Sequence, residues 1–284
     1  MKDFLIAMIG PGVMAEAILK NLLAKQLVPP KQIIMSGPQK ERVQSLKKIY
    51  GVMSETDNVK AVKSADIILL CVKPQSLNKV LDGIRDHIRS DALVITIVAG
   101  ASIQKISIGI NHKHVVRAMP NTPAQIGEGI TVWTSSPSVT SSQKEIAQLI
   151  FTAMGKEIFV DEETYLDKAT ALSGTGPAYV YLFMESMVDA GVHLGFPRRI
   201  AEKLVIETLR GSVDFYDHGE ETNRHLAALR NQVTSPGGTS AEALYYLEKA
   251  GFRTAISRAI WAAYQRTLEL GRDGNEVKKN EPTA

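Results

Sequence analysis

The glycine-containing segment near the N-terminus constrains the fold of this chain most. Residues 4–9 form a short apolar run, and Gly10-Pro11-Gly12-Val13-Met14-Ala15 follows it as a G-x-G-x-x-A pattern before a helical spacing over residues 15–27. In such a strand–loop–helix the first glycine makes the tight turn, the second lets the backbone approach a pyrophosphate, and the small third residue packs helix on strand. The pattern predicts a dinucleotide site at Gly10, Pro11, Gly12, Val13, Met14 and Ala15, with an ordinary tight turn as the alternative.

The rest of the first half repeats this alternation of strand and helix. Apolar runs of β type recur at residues 33–35, 67–72, 93–98, 115–118 and 130–133, and helical patterns such as 41–50 separate the early ones. Continuous apolar strands separated by helices form parallel sheets with both faces covered. We therefore predict an α/β Rossmann-type domain over residues 1–160, with a doubly wound, mainly parallel sheet.

The remainder of the chain is predicted to be all-helical. Helical patterns cover residues 177–194, 198–216, 223–232, 240–249 and 252–270, and the acidic stretch 161–163 is the expected boundary. These helices carry apolar faces, including Tyr245, Tyr246, Trp261 and Tyr264, that a domain of this size cannot cover alone. We predict an all-α dimerisation domain over residues 161–272, a homodimer formed through it, and a disordered polar tail over residues 273–284.

The end of the second predicted strand indicates which dinucleotide binds. NAD sites usually place a carboxylate there, whereas this strand ends at Ser36, and Lys40 and Arg42 lie on either side of the first acid, Glu41. A hydroxyl and two cations suit the 2′-phosphate of NADP. We predict NADPH, with NADH as a poorer substitute; the alternative is that Lys40 and Arg42 are solvated helix residues.

Composition and charge exclude several other classes. The chain has 33 basic and 30 acidic residues and a net charge of +3, which favours neither nucleic acid nor an anionic membrane as a partner. Its apolar N-terminal run is interrupted by Gly10-Pro11-Gly12, unlike a signal peptide, and the single cysteine, Cys71, suits a reducing compartment, so we predict a cytoplasmic protein. His112 and His114 have no evident third ligand, and no metal site is predicted.

Two glycine-rich segments open helices in the second half. They are Ser173-Gly174-Thr175-Gly176-Pro177-Ala178-Tyr179 and Thr234-Ser235-Pro236-Gly237-Gly238-Thr239-Ser240-Ala241-Glu242. Thr239 and Glu242 have the spacing of a capping box, and the start of the helix after Gly237 is predicted to bind an anion. A plain loop and cap is the alternative.

A loop with two prolines follows the predicted strand 115–118. Its sequence is Arg117-Ala118-Met119-Pro120-Asn121-Thr122-Pro123-Ala124, and Asn121 offers a side-chain amide at the edge of the sheet. The amide is either a ligand contact or a structural part of a stiff loop.

Together these segments resemble those of the pyrroline-5-carboxylate reductases. The resemblance rests on the first glycine motif, on Val72-Lys73-Pro74-Gln75, on the loop from Arg117 to Pro123, and on both later glycine segments, and it extends over residues 4–271. It implies NADPH-dependent reduction of the C=N bond of 1-pyrroline-5-carboxylate to L-proline, the last step of proline biosynthesis. It also implies assembly beyond a dimer.

The resemblance also implies roles for particular residues. The nucleotide would contact Gly10 to Ala15, Ser36, Asn58, Cys71, Val72, Lys73 and Pro74, and the charge pattern after the second strand adds Lys40. The substrate carboxylate would contact Gly237, Gly238 and Thr239, and its ring nitrogen would bond the hydroxyl of Ser240, which is the implied catalytic residue. From their places in the two loops, Asn121 and Ser235 are also predicted to contact the substrate. Most family members have threonine at the position of Ser240.

Two rival functions stay open at this point. A β-hydroxyacid dehydrogenase would carry lysine and asparagine after the second glycine motif, where this chain has Val180 and Met184. A non-catalytic NADP-binding regulatory paralogue could lose the Ser240 hydroxyl or the Gly237-Gly238 turn, and this chain retains both. Both features favour the reductase.

Overall fold

The computed structural model describes residues 4–217 and 225–272, which fold into two compact units. Residues 4–177 and 262–272 form the first unit, and residues 178–217 and 225–261 form the second. The strands are β1 (Ile6–Ile9), β2 (Ile33–Ser36), β3 (Met53–Glu55), β4 (Ile67–Leu70), β5 (Leu93–Thr96), β6 (Val115–Met119), β7 (Gly129–Ser135) and β8 (Gly155–Phe159). The helices are α1 (Val13–Ala24), α2 (Lys40–Tyr50), α3 (Asn58–Lys63), α4 (Pro74–Ile84), α5 (Ile103–Ile110), α6 (Ser141–Ala153), α7 (Thr164–Ala169), α8 (Gly176–His193), α9 (Arg198–Asp217), α10 (Leu226–Gln232), α11 (Thr239–Lys249) and α12 (Phe252–Gly271).

The first unit is built on one eight-stranded sheet in the order β3-β2-β1-β4-β5-β6-β7-β8. All neighbouring pairs are parallel except β6 with β7. The order 3-2-1-4-5-6 of the first six strands is that of dinucleotide-binding sheets, in which ligands bind at the carboxyl ends of the strands. The predicted fold class is confirmed.

Side-chain alternation along the strands builds a core on each face of the sheet. On β1, Ile6 and Met8 pack into one buried cluster with α1 and α6, whereas Ala7 and Ile9 pack into the other with α4 and α5. Strands buried on both faces need continuous apolar sequence. This is why the six predicted strands were recognisable.

Two strands were not predicted from sequence, β3 and β8. Both lie at the edges of the sheet, where one face or one side is solvated and polar residues are tolerated. β3 reads Met-Ser-Glu, and β8 contains Lys156 and Glu157. Neither segment has the apolar run that identified the other strands.

The second unit consists of helices, as predicted, and its own core is small. Val188, Ala201 and Val205 form its buried apolar cluster. Large apolar side chains on the same helices are exposed in the single chain: Val180, Tyr181, Leu182, Ile200, Leu204, Val213, Phe215, Tyr245, Tyr246 and Trp261. Large exposed apolar side chains in this number mark an interaction surface.

The domain limits differ in detail from the expected ones. Strands end at Phe159, near the expected boundary at residue 160, but the first compact unit continues to Pro177 and includes the end of α12. The predicted division into a nucleotide-binding domain over residues 1–160 and a helical domain over residues 161–272 therefore stays a prediction. The tail predicted over residues 273–284 and the first two residues of the helix predicted over 223–232 lie outside the described residues.

A buried arginine on β6 joins three elements of the first unit. The Arg117 side chain is 3% exposed and forms ion pairs with Glu163 at 2.9 Å and with Asp167 on α7 at 2.5 Å. The same Glu163 oxygen accepts a hydrogen bond from the amide of Ile103, the first residue of α5. Arg117 therefore holds α7 and the start of α5 on the sheet.

Replacing Arg117 with Met should destabilise the protein by about 2–3 kcal/mol, because two carboxylates lose their buried partner while remaining partly solvated. The free energy of unfolding is measured with urea at a fixed protein concentration. The control is Arg210→Met, which removes an exposed cation that pairs with Glu207 along its own helix, and should cost less than about 0.5 kcal/mol. Equal losses in the two variants would contradict the structural role of Arg117.

Candidate active site

A cleft of about 730 Å³ opens at the carboxyl ends of β1, β2 and β4 in the first unit. The glycine loop forms one wall, and the residues after β2 and at the start of α3 form a second. The end of β4 and one face of α4 complete it. The lining residues are Ile9, Gly10, Pro11, Gly12, Gly37, Pro38, Gln39, Thr56, Asp57, Asn58, Val59, Cys71, Val72, Lys73, Ser76, Lys79, Val80 and Gly83.

The glycine loop has the geometry that its sequence predicts. Gly10 has φ +94°, and a Cβ atom there would lie 2.7 Å from Val72 Cγ1 and 2.9 Å from the carbonyl carbon of Cys71. A Cβ at Gly12 would meet nothing within 4 Å. Gly10 therefore lets the loop pack on β4, and Gly12 leaves open space in front of the helix.

The start of α1 presents unpaired backbone donors. Its N-cap, Gly12, has no side chain to cap it, and Glu16 is the first residue whose amide reaches a carbonyl, Gly12 O at 3.0 Å. Within the described chain the amides of Val13, Met14 and Ala15 have no acceptor. Such a helix start binds anions through its N–H groups and its dipole. Val13, Met14 and Ala15 do not themselves line the cleft, whereas Gly12 does, and Ala15 is buried against the sheet.

Ser36 and Asn58 act as a pair at the end of β2. Ser36 is fully buried and does not line the cleft, and its hydroxyl donates to Asn58 Oδ1 at 2.8 Å. Asn58 lines the cleft, and its Nδ2 has no partner among the described residues. The buried serine thus orients the asparagine amide so that its donor side is available to a ligand.

The cations lie differently from the sequence-based expectation. Lys40 does not line the cleft, and Arg42 is engaged with Glu16 and with the carbonyl of Pro11. The lysines that line the cleft are Lys73 and Lys79. Lys79 was not predicted, although Ser76, Lys79, Val80 and Gly83 have the spacing of one helical face, which could have identified it.

The end of β4 contributes an apolar wall. Burial raises the pKa of the Cys71 thiol to about 12, so the thiol is neutral at physiological pH and is not a nucleophile. Pro74 does not line the cleft and occupies the first position of α4, where its missing N–H costs no hydrogen bond.

A second uncapped helix start lies in the second unit. Gly237 has φ +69°, and a Cβ on Gly238 would lie 2.5 Å from Ser235 Oγ. Gly238 is the N-cap of α11, and Glu242 is the first residue with a backbone acceptor, Gly238 O at 3.2 Å. The amides of Thr239, Ser240 and Ala241 therefore have no acceptor in the described chain. The Ser240 hydroxyl, half-buried beside them, also has no partner there.

The capping box predicted for Thr239 and Glu242 is wrong. Thr239 is the first helical residue and not the N-cap, and no side chain caps this helix. A residue with helical backbone angles cannot turn its hydroxyl back to the third amide, whereas Gly238, in extended conformation, precedes the helix without a side chain. The helix start is therefore more open to an anion than a capping box would leave it.

Asn121 has a structural contact. Its Oδ1 accepts a hydrogen bond from the Ile130 amide at 3.0 Å, which ties the loop after β6 to β7. A π-helical turn, Thr170–Gly174, packs near this loop, and a Cβ on Gly174 would lie 3.5 Å from the Met119 sulfur. The structure therefore places Asn121 in the loop scaffold, with its amide nitrogen as the remaining group that could contact a ligand.

Other kinds of site are not found in the described residues. The rings of His112 and His114 pack edge to face, with their centroids 5.4 Å apart. In residues 4–217 and 225–272, no group of three or more His, Cys, Asp or Glu could hold a metal ion. In the same residues, every helix is too short or too polar to cross a membrane.

Family models match most of the chain. Residues 163–270 match the pyrroline-5-carboxylate reductase dimerisation model, and residues 5–100 match the model described as NADP oxidoreductase coenzyme F420-dependent. The first match begins close to the end of the strands and covers α7 to α12.

Curated relatives align over nearly their whole length. The pyrroline-5-carboxylate reductase of Synechocystis is 42% identical over 94% of this chain and 98% of its own, and that of Escherichia coli is 35% identical over the same shares. The crystal structure of Plasmodium falciparum pyrroline carboxylate reductase with NADP bound superposes with a TM-score of 0.87 at 32% identity, covering 96% of this chain and all of that one. This chain belongs to the pyrroline-5-carboxylate reductase family.

Proposed function

We propose that this protein reduces the C=N bond of 1-pyrroline-5-carboxylate with NADPH to give L-proline. The observation that carries the proposal is the pair of uncapped, glycine-preceded helix starts, one in each unit, in a chain of this family. One suits the pyrophosphate of a dinucleotide and the other suits the carboxylate of a small imino acid. The NADP bound by the Plasmodium relative supports the choice of cofactor.

The residues of the cleft fit NADPH. The amides of Val13, Met14 and Ala15 would hold the pyrophosphate, since Gly12 leaves the approach to them open. Asn58 Nδ2 and the ammonium groups of Lys73 and Lys79 would hold the ribose and its 2′-phosphate. One carboxylate, Asp57, also lines the cleft, but it accepts a hydrogen bond from the Val59 amide at 2.9 Å.

The chemistry needs little from the protein beyond placement. Reduction requires a hydride at the imine carbon and a proton at the nitrogen; NADPH supplies the hydride when bound, and solvent supplies the proton. The amides of Thr239 and its neighbours would hold the substrate carboxylate, and the Ser240 hydroxyl would orient the ring nitrogen. The neutral Cys71 thiol keeps that wall of the cleft apolar and uncharged. Catalysis then comes mainly from binding the cofactor and the imino acid in the orientation that hydride transfer requires.

The helical unit would form a homodimer. Its exposed apolar side chains outnumber the three residues of its buried cluster, and its sequence matches a dimerisation model. Covering these faces with a second copy satisfies both observations, and further assembly of dimers stays a prediction. Cytoplasmic localisation, suggested by the single cysteine, and the lack of a nucleic-acid partner stay predictions as well.

Ser240→Ala should lower kcat about tenfold with little change in the KM for NADPH, because it removes one hydrogen bond to the reacting ring. Steady-state oxidation of NADPH at varied imino acid measures both constants. Ser240→Thr keeps the hydroxyl and should stay within about threefold of wild type, and Ser257→Ala, on the exposed face of α12, is the matched control. Wild-type turnover in Ser240→Ala would eliminate the role of the hydroxyl.

Lys79→Met should reduce the preference for NADPH over NADH. Because only NADPH carries the 2′-phosphate, the ratio of the two kcat/KM values should fall about fivefold, most clearly at low ionic strength. Lys63→Met removes a cation from exposed helix surface outside the cleft and should leave the ratio unchanged. If Lys79→Met lowers both kcat/KM values equally, the lysine does not contact the 2′-phosphate.

Leu182→Glu should weaken the dimer, because it places a charge at an apolar residue, Leu182, that is 65% exposed in the single chain. Size-exclusion chromatography with light scattering should give at least twice the chain mass of 31.0 kDa for wild type and a shift toward the monomer for the variant. Glu185→Gln, an exposed polar change on the same helix, should not shift it. A wild-type monomer would contradict the dimer.

A further inference from the structure

One arginine on α2, Arg42, contacts both the glycine loop and α1. Arg42 lies in the first turn of α2, and its Nε donates to the carbonyl oxygen of Pro11 at 2.9 Å. Its Nη2 donates to Glu16 Oε2 at 2.5 Å. The second oxygen of Glu16 accepts a hydrogen bond from the Tyr50 hydroxyl at 2.8 Å. Both ends of α2 therefore contact the segment that carries the pyrophosphate site.

Glu16 would oppose this site if it were alone. It is the fourth residue of α1 and lies in the first turn of the helix, whose first three amides have no acceptor in the described chain. A negative charge there stabilises the helix dipole but repels a pyrophosphate. The hydrogen bond from Arg42 holds the pKa of Glu16 below its ordinary value, so the carboxylate is ionised beside the helix start. Arg42 places a positive charge against it.

The loop is also held from its other side. A Cβ on Gly37 would lie 2.5 Å from Pro11 Cδ, so the proline ring packs directly on the backbone after β2. The Gly10 amide donates to Ser36 O at 2.9 Å, and the Gly12 amide donates to Gly10 O at 2.8 Å. The carbonyl of Pro11 is the remaining polar group of the loop, and Arg42 is its hydrogen-bond donor.

We propose that Arg42 is a positioning residue for the pyrophosphate of the dinucleotide. It fixes the carbonyl of Pro11 and neutralises Glu16, so that the amides of Val13, Met14 and Ala15 meet the ligand without a competing charge. This role rests on the proposed cofactor and replaces the 2′-phosphate contact that the sequence suggested. A pyrophosphate is common to NADPH and NADH, so the two cofactors depend on Arg42 equally.

The test measures the dissociation constants of NADPH and NADH from the fluorescence of the reduced nicotinamide. Arg42→Met should weaken both by about tenfold, leaving their ratio within about twofold of wild type. Arg42→Lys keeps the charge but cannot reach both oxygens, and should weaken both by about threefold. Lys47→Met, an exposed cation on the same helix, should change neither constant. Thermal unfolding of each variant verifies that it is folded, and Arg42→Lys carries the test if Arg42→Met does not fold.

A second pair of variants tests the neutralisation of Glu16. Glu16→Gln should bind both cofactors at least as well as wild type, because it removes the opposing charge. In the Glu16→Gln background, Arg42→Met should cost about threefold and not about tenfold. The same cost in both backgrounds would overturn the role of charge.

Three other outcomes would overturn the proposal. If Arg42→Met weakened the binding of NADPH alone, Arg42 would contact the 2′-phosphate. If Arg42→Met left both dissociation constants unchanged, Arg42 would form only a surface ion pair. If Lys47→Met weakened binding equally, the effect would come from net charge and not from the position of Arg42. Failure of the proposed function is recognised separately, since wild-type protein would then bind neither cofactor or would bind NADPH without reducing the imino acid.

Discussion

The close approach of the glycine loop to β4 is the contact on which the cofactor cleft depends. At Gly10 the backbone lies so near Cys71 and Val72 that no Cβ fits. Because β1 pairs with both β2 and β4, this contact sets where the start of α1 lies relative to two strand ends. The glycine loop before α1, the Ser36–Asn58 pair at the end of β2 and the apolar wall at the end of β4 are thereby brought to one cleft. Without the glycine, the loop would have to move away and the three would separate.

The sequence predicts those parts of the fold in which burial or backbone conformation permits a single kind of residue. Buried parallel strands need unbroken apolar residues, and a left-handed backbone in close contact needs glycine, so six strands and the glycine loop were recognised. The edge strands β3 and β8 escaped because a solvated edge accepts Ser54, Glu55 and Lys156. The helix after Gly238 was recognised, but its cap was not, since the spacing of Thr239 and Glu242 is compatible with two helix starts one residue apart.

Charged residues were the least predictable part of the site. Lys40, Arg42 and Lys79 have the same charge, and the sequence does not distinguish them. In the structure Lys79 lines the cleft, Arg42 pairs with Glu16, and Lys40 does neither. A long cationic side chain near a strand end can reach several partners, and it pairs with the carboxylate that the fold brings closest. Glu16 lies 26 positions before Arg42 in the chain, so no local pattern links them. The same holds for Arg117, whose partners Glu163 and Asp167 follow about 50 positions later.

Pro11 shows how one variable position can place demands on others. The ring has a fixed φ and no amide hydrogen, so the loop gains stiffness at that residue, but the ring needs the space that Gly37 leaves after β2. Any larger residue at 37 would push the ring outward and with it the carbonyl that Arg42 holds. Stiffness in the loop, a missing side chain after β2 and a cation in the first turn of α2 are therefore parts of one arrangement. A chain with a flexible residue in place of Pro11 would lose less when Gly37 or Arg42 changed, because its loop could readjust around a bound pyrophosphate.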